Sequence, residues 1–204
     1  MQLIGYMDSP YVRRVGVTAQ FLEIPYEHRE LSIFRDYDEF RKINPLVKVP
    51  TLICDDGQIL VDSTLIIDYL ESLAGGQRLM PSDEANYIRA LNVIGTSLIA
   101  MEKAVQMIYE LKHRPEEVQH QPWLDRIQQQ LTEATTLMEQ SVGDGSAWLF
   151  ASEITQADIS TAITWRFLQL HFPEVVTEAE HPGLVQFSAM AEALPEFLAC
   201  PIST

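Results

Sequence analysis

Residues 49–70 read VPTLICDDGQILVDSTLIIDYL, and this stretch decides the fold of the first part of the chain. Two short apolar runs, 51–54 and 59–61, lie on either side of an Asp-Gly pair. Such a pair between apolar runs is a strong signal for a β-hairpin. Residues 63–73 continue with apolar positions at helical spacing, and Gly75 and Gly76 end the pattern. The stretch therefore predicts two strands followed by a helix.

The residues before this stretch predict two strands, each followed by a helix. Residues 2–6 are a short apolar run, which is typical of a buried strand. Ser9 followed by Pro10 fits the N-cap and first position of a helix. A strand over 26–32 and a short helix over 36–43 follow. The predicted order of elements up to residue 75 is βαβαββα.

The chain beyond residue 83 contains only helix signals. Apolar residues recur at three- and four-residue spacing over 85–111, which predicts one long helix. Thr155 and Asp158 resemble a capping box, and Ile154 and Ile159 supply the hydrophobic staple beside it. The other predicted helices cover residues 122–141, 156–170 and 182–193.

These patterns divide the chain into three segments of fold class α/β plus all-α. We expect residues 1–75 to form an α/β domain, residues 76–83 a linker, and residues 84–204 an all-helical C-terminal domain.

Charge and composition exclude several classes of partner. Twenty-nine acidic and fourteen basic residues give a net charge of −15, which disfavours binding to nucleic acid and to anionic lipid. No apolar run approaches the roughly 18 residues of a membrane span, and no secretion signal is visible. The two cysteines, Cys54 and Cys200, are far apart in sequence and lack the spacing of a redox or metal motif. The five histidines lack the spacing of metal ligands. We therefore expect a cytoplasmic protein with free thiols, no metal and no membrane partner.

Lys48, Val49 and Pro50 stand at the beginning of a predicted strand. Pro50 is tolerated at such a position, and this ordinary role explains it. If the Val49–Pro50 bond is cis, Val49 instead exposes its backbone N–H and C=O to an extended, peptide-like ligand.

Two helix starts carry polar side chains that also allow two interpretations. Asp62 and Ser63 either cap the third helix or form a subsite for an amino acid, in which Ser63 binds the carboxylate and Asp62 the ammonium group. Ser9 either caps the first helix or presents its hydroxyl to a ligand. Arg13 and Arg14 are expected to be partly exposed and to pair with the abundant acidic residues; the alternative is that they contribute to the positive potential of the site.

Together these stretches resemble the soluble, cytosolic glutathione transferases. NPLVKVPTL (44–52), VDSTLIIDYL (61–70) and ITQADIS (154–160) each match a family motif in the right order and spacing, so the resemblance covers the whole chain. The SPYVRRV start (9–15) is most similar to bacterial serine-type members. The resemblance implies a thioredoxin-like N-terminal domain that binds glutathione, a helical domain that helps to bind a small hydrophobic electrophile, and a homodimer.

The resemblance also implies a role for each candidate residue. Ser9 would face the glutathione sulfur, and Tyr6 rivals it because other classes carry a catalytic tyrosine near this place. Val49, before a cis Pro50, would pair with the cysteinyl backbone. The remaining candidates are Lys48 near the glycyl carboxylate, and Asp62 and Ser63 at the γ-glutamyl end.

The expected activity is transfer of glutathione as its thiolate. A free thiol has a pKa near about 8.5 and is mostly protonated at neutral pH. A hydrogen bond from Ser9 to the sulfur contributes about 1.5–3 kcal/mol and would lower the thiol pKa by roughly one to two. Two alternatives stay open: a non-catalytic interaction protein like the stringent starvation proteins, and a glutathione-dependent peroxidase, dehalogenase or isomerase.

Overall fold

The computed structural model describes residues 1–150 and 153–202, which form two compact units. The N-terminal unit comprises Met1–Leu79 and the residues from Ala193 onward, and the helical unit comprises Met80–Glu192. Residues 193–202 therefore pack with the N-terminal unit, whereas the sequence pattern predicts them as part of the helical C-terminal domain.

A four-stranded mixed sheet lies in the N-terminal unit, with strand order β2-β1-β3-β4. Strand β1 (Gln2–Ile4) is parallel to β2 (Glu27–Arg29) and antiparallel to β3 (Thr51–Ile53). Strand β4 (Ile59–Leu60) pairs antiparallel with β3, so the predicted hairpin is confirmed. Because Ile4 at the end of β1 pairs with Thr51 at the start of β3, the turn after β1 and the residues before β3 lie at the same end of the sheet.

The helices of this unit are α1 (Pro10–Phe21), α2 (Tyr37–Ile43), α3 (Ser63–Leu73) and α8 (Pro195–Leu198). The order βαβαββα of the first 75 residues is confirmed, as is the thioredoxin-like fold. Helix α1 packs against both α3 and α8, and it is buried on most of its surface. Its start and the start of α3 therefore lie in one packed unit.

The described part of the helical unit consists of helices and their connections. Its four α-helices are α4 (Glu84–Ile108), α5 (Gln121–Val142), α6 (Gln156–His171) and α7 (Pro182–Glu192). Every residue of α6 from 156 to 165 is buried, as expected for a helix in the centre of a bundle. Within the described ranges, no helix has the length and apolar character needed to cross a bilayer.

The end of α4 differs from the prediction of one helix through residue 111. The α-helix stops at Ile108, and Tyr109–His113 form a π-helical turn. Within this turn the buried Glu110 accepts hydrogen bonds from the Arg114 side chain and from the His120 backbone N–H. The bond from His120, the N-cap of α5, ties the turn to the start of that helix, a requirement that apolar spacing does not reveal.

Asp158 fixes the start of α6. The predicted capping box is confirmed, because the Asp158 carboxylate accepts from the backbone N–H and from the hydroxyl of Thr155. The same carboxylate accepts from the Leu149 N–H at 2.8 Å. Burial raises the pKa of this carboxyl group, and the hydrogen bonds oppose that rise. One buried carboxylate thus organises both the helix start and the chain before it.

Asp158→Ala is expected to lower the free energy of unfolding by about 2–4 kcal/mol, because two buried donors of Thr155 and the half-buried Leu149 N–H lose their acceptor. Urea denaturation followed by circular dichroism measures the change. The matched control is Asp125→Ala, which removes an exposed carboxylate on α5 that bonds only a glutamine side chain, and it should shift the free energy by less than about 0.5 kcal/mol. Equal stabilities of the two variants would contradict the role assigned to Asp158.

Candidate active site

The first candidate position is the turn between β1 and α1. Ser9 occupies the N-cap position with an extended backbone (φ −72°, ψ 121°), and its carbonyl accepts from the Arg13 N–H at 2.9 Å. The Ser9 side chain makes no capping hydrogen bond. The predicted N-cap position is confirmed, but the hydroxyl is not used to hold the helix.

Tyr6, the rival of Ser9, lies in the same turn. The Ser9 N–H donates to the Tyr6 carbonyl at 3.1 Å. The Tyr6 side chain is half-buried, and the Arg35 guanidinium lies 5.2 Å from the centre of its ring. The turn therefore brings both sequence candidates, and a positive charge, to the end of the sheet where α1 begins.

The second candidate position precedes β3. The Val49–Pro50 peptide bond is cis, as the sequence analysis considered. Thr51 donates its hydroxyl proton to the Lys48 carbonyl at 2.6 Å and accepts from the buried Asn44 side chain at 2.8 Å. Within residues 1–150 and 153–202, neither the N–H nor the C=O of Val49 has a hydrogen-bond partner. A peptide-like ligand can therefore pair with this backbone.

Gly5 determines how close Val49 lies to α1. Its φ of +130° is a conformation that side chains rarely adopt. A Cβ at this position would lie 2.6 Å from Val12 Cγ2 and 2.9 Å from Val49 Cγ1. Sequence reasoning missed Gly5, although a glycine directly after a buried strand is a signal of close backbone approach.

The third candidate position is the start of α3. The exposed Asp62 is the N-cap, and its Oδ1 accepts from the Thr64 N–H at 2.9 Å. The Val61–Asp62 peptide bond is also cis. Ser63 is only 2 % exposed, so the accessible surface of this turn belongs mainly to its neighbours. Asp62 thus serves as the helix cap and still presents a second carboxylate oxygen.

The buried Arg14 side chain forms hydrogen bonds with the same turn. Its side chain is 1 % exposed, and Nη1 donates to Ser63 Oγ and to Thr64 Oγ1, each at 3.1 Å. Burial lowers the pKa of the guanidinium to about 10, and the negative charge of Asp62 opposes this effect. Arg14 is therefore still charged at neutral pH. The expectation that it is partly exposed was wrong.

Arg13 is buried as well, but on another side of α1. Its Nε donates to the Cys200 carbonyl at 2.9 Å, and its guanidinium lies 5.7 Å from the Phe197 ring centre. The expectation of exposure was wrong here too. Adjacent helical residues point about 100° apart, so the two arginines tie α1 to two different segments.

The two cysteines are further side chains that could act as nucleophiles or metal ligands. Cys54 and Cys200 are both buried free thiols. Burial raises the pKa of the Cys200 thiol, which lies 3.5 Å from the Tyr26 hydroxyl. In the part of the chain that the structure describes, no three His, Cys, Asp or Glu side chains form a potential metal site.

The sheet order and the helices described in residues 80–150 and 153–192 define a protein with a thioredoxin-like domain followed by a helical domain. Residues 3–78 match the family described as "Glutathione S-transferase, N-terminal domain". Residues 3–78 therefore carry the N-terminal domain of the glutathione S-transferase family, and the chain as a whole is similar to members of that superfamily.

Solved structures support this assignment. A glutathione S-transferase from Methylobacterium radiotolerans, in complex with glutathione sulfonate, is 25% identical, has a TM-score of 0.90, and matches 100% of this chain and 95% of its own. A glutathione transferase family member from Pseudomonas fluorescens with bound glutathione is 28% identical, with a TM-score of 0.85 and coverage of 100% and 99%.

A curated relative carries a different name. The maleylacetoacetate isomerase of Pseudomonas aeruginosa is 27% identical over 169 residues, which are 78% of this chain and 77% of the relative. Relatives within this superfamily are thus named for both transfer and isomerisation.

Gly5→Ala is expected to lower the free energy of unfolding by about 1–3 kcal/mol, because the new methyl group meets Val12 and Val49 in a strained backbone. Thermal and urea denaturation measure the loss. Gly95→Ala is the control, since Gly95 lies within α4 with no atom within 4 Å of the added Cβ, and it should gain about 0.5–1 kcal/mol. A Gly5→Ala variant as stable as Gly95→Ala would show that the close approach is dispensable.

Proposed function

We propose that this protein binds glutathione at the three turns of the N-terminal unit and activates its thiol for attack on a small hydrophobic electrophile. The observation that carries the proposal is the Val49 backbone, which has no hydrogen-bond partner within the described residues and precedes a cis proline. An extended peptide adds to such an edge through its own N–H and C=O groups. The two structural relatives described above contain glutathione or its sulfonate.

The turns supply groups suited to the two ends of the tripeptide. The Asp62 carboxylate attracts the ammonium group of the γ-glutamyl residue, and the N-terminus of α3 with Ser63 favours its carboxylate. The exposed Lys48 supplies positive charge for the glycyl carboxylate. Each end of the ligand thus has a partner of opposite charge.

Ser9 is the proposed group that faces the sulfur. Its hydroxyl makes no capping bond, so its proton is available to the thiolate. The positive end of the α1 dipole adds to this stabilisation. A hydrogen bond to a charged acceptor contributes about 1.5–3 kcal/mol, enough to lower the thiol pKa by roughly one to two.

Isomerisation is the second candidate activity, favoured by the Pseudomonas aeruginosa relative named maleylacetoacetate isomerase. The same thiolate would add to an activated carbon–carbon double bond, rotation about the resulting single bond would follow, and elimination would return the thiolate. Assays with 1-chloro-2,4-dinitrobenzene and with maleylacetoacetate separate the two, since conjugation consumes glutathione and isomerisation regenerates it.

A cytoplasmic homodimer is part of the proposal. Support comes from α4, where Ile88, Leu91 and Ile99 follow one another at helical spacing with 58, 48 and 48 % of their surface exposed. Apolar side chains aligned on one helix face favour contact with another protein surface. Light scattering of the purified protein measures the oligomeric state.

Ser9→Ala is expected to raise the pKa of bound glutathione by about one to two and to slow conjugation at pH 6.5 about tenfold or more, because the thiolate loses its donor. The glutathione Kd should stay within about threefold. Thiolate absorbance against pH measures the pKa, and calorimetry measures binding.

Tyr6→Phe is the matched control, since it removes the rival hydroxyl from the same turn. It should leave the thiol pKa and the rate close to wild type. A rate loss confined to Tyr6→Phe would move the activating role to Tyr6. Absence of binding at millimolar glutathione would overturn the enzymatic proposal and favour the interaction-protein alternative.

A further inference from the structure

Arg14 is a charged side chain that is almost completely buried in the N-terminal unit. Burial of a charge raises the free energy of the folded state unless hydrogen bonds and opposite charges compensate for it. The hydrogen bonds of Arg14 to Ser63 and Thr64 go to neutral hydroxyl oxygens in the first turn of α3. The negative charge of the exposed Asp62 raises the pKa of Arg14 and opposes the effect of burial. Arg14 thus places a positive charge beside the first turn of α3.

The hydrogen bond from Arg14 also determines what the Ser63 hydroxyl can do. A hydroxyl has one proton to donate and two acceptor sites, and Arg14 occupies one of the acceptor sites. Within the described residues the Ser63 hydroxyl donates to no acceptor. Held in this way, the hydroxyl is available as a donor, which suits an anion.

The charges around the turn are arranged for a zwitterion. Asp62 carries negative charge at the exposed side of the turn, whereas Arg14 and the helix N-terminus supply positive charge at Ser63. An α-amino acid group carries an ammonium and a carboxylate on one carbon, so both charges meet partners at once. Since Ser63 is only 2 % exposed, a ligand reaches a small part of it, and Arg14 sets the position of that part.

We infer that Arg14 is a positioning residue that orients the Ser63 hydroxyl and makes the start of α3 selective for the α-carboxylate of a γ-glutamyl ligand. This inference rests on the proposed glutathione site and adds the residue that gives it selectivity. Arg14 acts through Ser63 and through its charge.

A purely structural role, in which Arg14 only joins α1 to α3, predicts a different result. Loss of such a joint would weaken binding of every ligand of the site by a similar factor. Loss of a positioning residue weakens only ligands that carry the α-carboxylate. Two ligands that differ in this one group therefore separate the two roles.

The test uses calorimetry with S-methylglutathione and with S-methyl-(4-aminobutanoyl)-cysteinylglycine, which lacks only the α-carboxylate. The methylated sulfur removes any contribution from thiol ionisation. Arg14→Met should weaken S-methylglutathione binding by about tenfold or more and binding of the decarboxylated ligand by less than about threefold. Arg14→Lys keeps the charge but not the paired donors, so it should show a smaller loss with the same selectivity.

Arg13→Met is the matched control, because it removes an equally buried arginine of the same helix that donates to the Cys200 carbonyl and not to the start of α3. It should leave the ratio of the two affinities at the wild-type value. Equal weakening of both ligands, or of neither, in a folded Arg14→Met protein would overturn the inference. If that variant does not fold, the affinity ratio of Arg14→Lys decides, and an unchanged ratio overturns it.

Wild-type behaviour distinguishes this inference from the proposed function. Wild-type protein that binds neither ligand would refute the glutathione site itself. Wild-type protein that binds both ligands equally well would leave the site intact and refute the selectivity assigned to Arg14.

Discussion

The close approach at Gly5 is the constraint on which the N-terminal unit depends. There the end of β1, the first turn of α1 and Val49, two residues before β3, meet at distances that leave no room for a side chain. Val49 can lie beside the start of α1 only because residue 5 has no Cβ. The turn of Ser9 and the exposed backbone of Val49 are therefore set by one contact.

Most of the secondary structure could be predicted, because it follows from local signals. The Asp-Gly pair gave the hairpin, Ser9-Pro10 the start of α1, and Thr155 with Asp158 the start of α6. Local signals did not predict the burial of the two arginines. A charged residue is exposed by default, and burial of Arg13 and Arg14 depends on partners 187 and 49 residues away.

The candidate site also contains residues that local sequence identifies and residues that it does not. Ser9, Val49 and Asp62 were identified from turn chemistry, and the structure places each at a turn of the N-terminal unit. The supporting residues were not identified, because Gly5 and Arg14 act through contacts distant in sequence. The π-helical turn at 109–113 was missed for the same reason, since it accompanies a bond between Glu110 and the start of α5.

The attachment of Cys200 to Arg13 has a consequence for biosynthesis. Residues 193–202 complete the N-terminal unit, yet the ribosome makes them after the whole helical unit. The helical unit is thus inserted into the other unit along the chain. A nascent chain that has produced only the first 80 residues lacks the carbonyl that binds Arg13 and the ring of Phe197 over it, so the first unit to be translated is the last to be finished.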